Sequence, residues 1–406
     1  MSMTDLRSTV SRRVFMTGRS MLLLGVFLIA ANLRAGITSV GPVVEDIQRD
    51  LGLSAFAVSA LTSIPLLAFA FFSPCVPSIA NRIGLERTSA AALLALAAGI
   101  LIRSLTPVLM LWVGTAIIGA AIASLNVVLP ALVKRDFPSM IGPVTGAYSA
   151  VQAVVAAVAV GITATIAANA SLGWRSALAV WSIVAVLAFA GLVFPVKTRS
   201  IPEGTLDPAS GQEAHRAHPW GSPIAWQVAA FMGLQSMFFY VLVAWLTPID
   251  VAAGASPVEA GLHQSFLNLG SLVGSLACSL LLHRLRGQRL IVIIASVLMG
   301  GASLGLIWAP RWTSIWSWAA GIAGGVSFVL ALSLFGLRTR THHAAAALSG
   351  MAQSVGYALA ATGPVLVGLL HDLMGGWQAP LMVLVLVSCC HLVFGLLASR
   401  SLVVDS

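Results

Sequence analysis

The sequence predicts an all-α integral membrane protein: twelve transmembrane helices arranged as two pseudo-symmetric six-helix bundles. Three observations predict it. Charged side chains are too scarce for a soluble surface, apolar runs of spanning length recur along the chain, and Lys and Arg sit on alternate breaks between them. Of 406 residues, 58% are hydrophobic and only 9% are charged, whereas soluble domains carry roughly 25% charged residues. That deficit excludes a soluble enzyme, a nucleic-acid binder and a secreted disulfide scaffold. The net charge of +9 would suggest a nucleic-acid partner in a soluble chain; here basic loops orient helices in a lipid bilayer. Cys75, Cys278, Cys389 and Cys390 all lie inside apolar runs, so they read as small hydrophobes rather than a disulfide framework.

The spans follow in order. Residues 1–20 hold four Arg, and the apolar stretch after them is too long for a signal peptide and has no small-residue cleavage site. It is the first span, 20–44. The next five are 57–80, 88–103, 107–131, 142–167 and 175–195; the third is short and is expected to extend into its flanks. A polar stretch rich in Pro and charge then reads as a flexible linker. The second six are 225–249, 259–282, 290–308, 313–336, 346–370 and 378–398. The expected organisation is therefore a bundle at 1–195, a linker at 196–224 and a bundle at 225–406.

Orientation follows from the basic residues. Arg7, Arg12, Arg13, Arg19, Arg82, Arg87, Lys134, Arg135, Lys197, Arg199, Arg216, Arg284, Arg286, Arg289, Arg338, Arg340 and Arg400 fall on one side of the membrane. Only Arg49, Arg103, Arg175 and Arg311 fall on the other. Positive charge gathers on the cytoplasmic side, so both termini are expected inside a cell (inner) membrane. The halves also echo one another: Gly52, Ser54, Ser63 and Arg82 recur as Gly254, Ser256, Ser265 and Arg284, at a constant offset. Parallel repeats of this kind are a transporter architecture.

The break Asn81-Arg82-Ile83-Gly84-Leu85-Glu86-Arg87 resembles the loop between helices two and three of major facilitator superfamily transporters. It differs at Asn81, where that pattern has an acid, so the interlocking made by the acid is not implied here. Three further segments are similar to the cyanate permease and 2-nitroimidazole transporter family. They are Asn32 to Thr38 with Gly41-Pro42, Asn126 to Pro130 with Lys134 to Pro138, and Ser349 to Tyr357. The resemblance implies alternating-access transport of cyanate, a nitrite-like or small organic anion, or a nitroimidazole-like heterocycle. It also implies a peripheral twelfth span, which makes His391 structural.

Arg34 carries the chemistry. It lies near the middle of the first span, where an Arg costs roughly 2.5–3.5 kcal/mol even on the lenient insertion scale. All thirteen Asp and Glu lie in loops, tails or at span ends, which leaves Arg34 carbonyls, amides, water or an anionic ligand. A planar guanidinium fork suits a small oxyanion, carboxylate or pseudohalide; the structural alternative is a tie to helix carbonyls. Asn32, Asn126, Gln152, Gln235 and Gln353 lie at hydrocarbon depth, where amides bind either a ligand or a neighbouring helix. Asn268 leans to the second role. The chain's three tyrosines, Tyr148, Tyr240 and Tyr357, sit inside spans rather than at the interfaces, and line a pocket or join helices. Trp245 is a candidate gate and His263 a candidate coupling group, since histidine exchanges protons near neutral pH. Pro65 and Pro364 are candidate helix bends.

The expected partners are a small-molecule substrate and the bilayer, with protons as the candidate coupling ion, no nucleic acid, no cofactor and no metal. A monomer is expected. With no acid at membrane depth, any proton must ride on the substrate or on His263, and transport without a carboxylate relay is the favoured expectation. An exporter of neutral drug-like compounds and a transporter-like sensor are the rivals. An enzyme has no candidate catalytic residues.

Overall fold

The computed structural model describes residues 3–53, 55–167, 173–198, 219–285 and 287–404. The first half holds α1 (Met3–Thr38), short α2 (Val44–Leu51), α3 (Ala55–Phe72), α4 (Val76–Ile83), α5 (Leu85–Arg103), α6 (Val108–Asp136), α7 (Ile141–Ala167), α8 (Gly173–Ala179) and α9 (Trp181–Thr198). The second holds α10 (Pro223–Ala252), α11 (Pro257–Arg284), α12 (Arg289–Trp308), α13 (Thr313–Leu337), α14 (His342–Met374) and α15 (Gln378–Ala398). Among the described residues there is no strand. Among the described residues eleven helices are long and apolar enough to cross a membrane, and twelve if the bent pair within α3 and α4 is one span. Most of the expected linker, 199–218, lies outside the described residues.

The short third span does extend, to Leu85–Arg103. The second span breaks by 58° between Phe72 and Val76, not at Pro65, which stays inside α3. Pro74 lies in that break and Pro77 just beyond it, and two prolines so close remove donors from consecutive turns. Pro364 likewise lies inside the uninterrupted α14.

Within the first half α5 packs on α6, and α1 on α7 and α9; within the second, α11 packs on α13 and α10 on α14. The repeat is visible in the turns. Gly52 and Gly254 have φ of 61° and 102°, and Gly173 and Gly375 have 64° and 67°. Both pairs are 202 residues apart, and only glycine takes such angles without strain.

The two faces of the assembly differ. On the face carrying Arg82, Lys134, Arg284 and Arg338 (the basic face), the halves close on one another. Ser279 Oγ donates to Pro143 O at 3.1 Å, Ser354 Oγ to Ala70 O at 2.6 Å, and Gln353 Nε2 to Asn126 O at 3.0 Å. His343 Nδ1 lies 2.7 Å from Asn81 Oδ1, so Asn81 interlocks with α14 although it is no acid. Gly146 takes Ser279 against its backbone, and a Cβ on Gly350 would meet Ser73 O at 2.7 Å and Pro77 Cγ at 2.8 Å. One apolar core runs through both halves here. Towards the opposite (far) face the core divides into two, one confined to each half. No hydrogen bond among the described residues joins the halves there. The cleft between them is therefore closed at the basic face and open at the far face.

Candidate functional site

Arg34 stands half-buried on α1, and its guanidinium lies 5.8 Å from the ring centre of Phe328 on α13, across the cleft. Among the described residues it has no hydrogen-bond or ion-pair partner. Six of the acids are engaged elsewhere: Asp50 with Arg175, Glu86 and Asp136 with Arg135, Asp250 with His263, Asp46 with Arg49, and Asp372 with His371. Glu259 closes the capping box of α11 with Ser256. A half-dehydrated cation over an aromatic face gains some cation–π stabilisation, and its five donors stay free for a ligand.

The tyrosines converge on this charge. Tyr240 and Tyr357 lie within electrostatic reach of Arg34, and Tyr148 within reach of Tyr357. They come from α10, α14 and α7, so only the closed packing of both halves assembles them. Tyr148 is partnered by Thr145, one turn away. Tyr357 packs against Phe69 with ring centres 5.1 Å apart, and Phe239 lies edge-on to Tyr240 at 6.2 Å. Gln152 is buried and Asn126 half-buried, and neither side-chain amide has a partner among the described residues. Gln353 gives its N–H groups to Asn126 O and to Ser349 Oγ at 2.8 Å, which leaves its carbonyl as an acceptor.

Other candidates have partners of their own. Asn32 donates to Leu28 O at 2.9 Å and Val184 O at 3.3 Å, inside the α1–α9 seam. Gln235 bonds Ser236 Oγ at 2.6 Å within α10. Trp245 donates to Pro364 O at 2.9 Å and stacks near Trp377, a tie within the second half. His391 bonds Ser296 at 2.8 Å and stacks on Phe231, as its structural reading expects. Asn268 is exposed and caps Gln264 O on its own helix. His263 meets Asp250 and Ser314 at the far end of the second half, away from Arg34.

Phe328 and Arg103 were not singled out from sequence. Phe328 is one aromatic in a long apolar run and carries no signal of its own. Arg103 looked like a loop cation, yet it is 1% exposed and donates from Nη1 to Gly36 O at 2.7 Å. Gly36 O is among the last carbonyls of α1, where the helix dipole is negative. Arg103 thus caps the helix end that carries Arg34, two residues away. A Cβ on Gly114 would strike the Arg103 backbone, so this close crossing of α5 and α6 depends on glycine.

Residues 22–361 match the Major Facilitator Superfamily model. The chain belongs to that superfamily. It is 38% identical to the 2-nitroimidazole transporter of Escherichia coli K12 over 382 residues, which cover 94% of this chain and 96% of the relative. It is 26% identical to the cyanate transport protein CynX of the same organism, over 88% of this chain and 91% of that one. Its fold matches the proton:xylose symporter XylE with a TM-score of 0.73 at 16% identity, over 93% and 94% of the two chains. The protein is a multi-pass membrane transporter, not an enzyme, and the family resemblance read from its motifs is borne out.

Proposed function

We propose that the protein carries a small anionic solute or a compact polar heterocycle, bound between residues 1–195 and 225–406, which rock about the site in alternating access. One observation carries this reading: Arg34, on the first span, faces Phe328 of the other half and has no ion-pair partner among the described residues. A guanidinium in that position is stabilised when an anion occupies the cleft. Asn126, Gln152 and the Gln353 carbonyl offer directional contacts, and Phe328, Tyr240 and Tyr357 offer flat surfaces. That mixture suits cyanate, a small carboxylate or a nitro-substituted ring, and the names of the two relatives point to the same chemistry. The basic face is cytoplasmic under the positive-inside rule, the membrane is a bacterial inner membrane, and the working unit is a monomer.

The test is proteoliposome flux with cyanate, 4-hydroxybenzoate and 2-nitroimidazole. Arg34→Ala is expected to lose anion flux to background while the protein stays folded in the membrane. Arg34→Lys should keep less than about a tenth, because a point charge lacks the planar fork. Near-normal anion flux through Arg34→Ala would end this reading.

A further inference from the structure

His263 and Asp250 hold a chemistry that the Arg34 site does not use. Asp250 is on the last turn of α10 and is 2% exposed, with its Oδ2 against His263 Nδ1. His263 Nε2 lies 2.7 Å from Ser314 Oγ, on the first turn of α13. The three side chains tie together the far-face ends of α10, α11 and α13. Those ends border the open side of the cleft.

The surrounding charges are few. Apart from Asp250, α10 carries none, and neither α7 nor α13, the other helices packed on α11, carries any. On α11 itself, Glu259 is one turn away, exposed, bound in its capping box and within electrostatic reach of His263. His283 and Arg284 are at the opposite end of that helix. Arg311, in the turn before α13, lies over Trp312. No Lys or Arg pairs with Asp250 among the described residues. Only His263 can balance it, and only when protonated.

We propose that Asp250, His263 and Ser314 form a proton-binding site that sets the charge beside the mouth of the cleft. It admits anions when far-face water is acidic and repels them when that water is alkaline; this rests on the reading of the cleft as an anion path. In the neutral state, His263 donates Nδ1–H to Asp250, and Nε2 accepts the Ser314 hydroxyl. A proton from far-face water adds to Nε2, the imidazole being 16% exposed. The Ser314 hydroxyl then rotates and accepts from the new N–H. The cluster passes from −1 to 0 and nothing else is exchanged. Ser265 and Asn268 are exposed on the face of α11 that meets α7 lower down at Ser279, so they line the cleft wall and the cluster lies just behind it. A unit charge about 10 Å from the path, at an effective dielectric of ~40, alters local ion occupancy roughly four-fold.

The test needs no known substrate. The full chain, with its four native cysteines replaced by Ala and with Asn126→Cys in the cleft, is placed in liposomes. Its modification rates by an anionic sulfonate and a cationic trimethylammonium methanethiosulfonate are compared from pH 5.5 to 8.5. Ionisation of the thiol itself affects both reagents alike and cancels in the ratio. The anion-to-cation ratio is expected to rise roughly ten-fold on going from pH 8.5 to 5.5. Asp250→Asn should hold it high at every pH, and His263→Gln should hold it low. If Asp250→Asn does not fold, His263→Lys supplies the permanently balanced pair and should also hold it high. A ratio flat in the otherwise unchanged protein, or variants that shift it in the same direction, overturns the proposal. Adding Arg34→Ala should lower the ratio at all pH values and leave its pH dependence intact. A ratio indifferent to Arg34 would break the anion reading and leave the proton site standing.

Discussion

At each face the two halves present equivalent parts of a repeat, yet the basic face is shut and the far face open. At the basic face Gly146 meets Ser279 and Gly350 meets Pro77. Gly146 and Gly350 occupy related positions in the two halves, as do Pro77 and Ser279, so a single contact is made twice about the pseudo-axis. At the far face the helix ends carry exposed Ser265 and Asn268, and no hydrogen bond among the described residues joins the halves. The difference teaches where the conformational energy lies. Close approach through glycine is all-or-none, because a helix backbone either sits on its neighbour or leaves a void. An open cleft with polar walls needs no such fit.

The largest effect should come from filling the closed face. Gly146→Leu together with Gly350→Leu drives side chains into Ser279 and into the Ser73 carbonyl and Pro77, and overpacking of this kind costs about 1–3 kcal/mol per site. The closed basic face should lose its dominance by a factor of ten or more, read as increased spin-label distances between the basic-face ends of α7 and α11. Unchanged distances would break the comparison. A smaller effect is expected from Arg103→Ala, which leaves Gly36 O at the end of α1 unsatisfied and a cavity beside Gly114. A loss of about 2–3 kcal/mol should appear as a lower melting temperature, with weaker anion flux because the end of α1 bearing Arg34 is no longer held. Arg103→Lys should recover part of the stability, since one amine can still reach the carbonyl.

The smallest effect lies on the rim of the open face, where Asp50 accepts from Arg175 at 2.6 Å and from Trp174 at 3.1 Å, joining α2 to α8. Hydrogen bonds first from Arg175 and then from Trp174 hold its carboxyl below the usual carboxylate range. With the folded pKa depressed, the tie contributes fully above the unfolded value near 4 and fades as pH falls through the folded value. Thermal stability of the wild type relative to Asp50→Asn should therefore be constant between pH 5 and 8, and the gap should narrow only in stronger acid. The pair is exposed, so a shift in melting temperature of no more than a degree or two is expected.

The sequence by itself determined the class of molecule. Hydropathy gives the spans, because the bilayer is a one-dimensional solvent boundary that each helix meets independently. Arg34 was legible for the same reason: a cation at membrane depth is costly whatever surrounds it. The tertiary structure alone decided which polar residues are tied up between helices and which keep their groups free. Asn32 and Asn126 have the same chemistry and similar depth, but Asn32 turns into the α1–α9 seam while Asn126 keeps its amide free. Composition and depth cannot separate them, because the direction a side chain takes on a helix is fixed by which helices pack beside it. Asp250 was visible only as an acid at a span end, and Arg103 only as a basic residue at another. Burial against His263 in one case, and against the end of α1 in the other, comes from contacts between helices far apart in the chain, which no local pattern encodes.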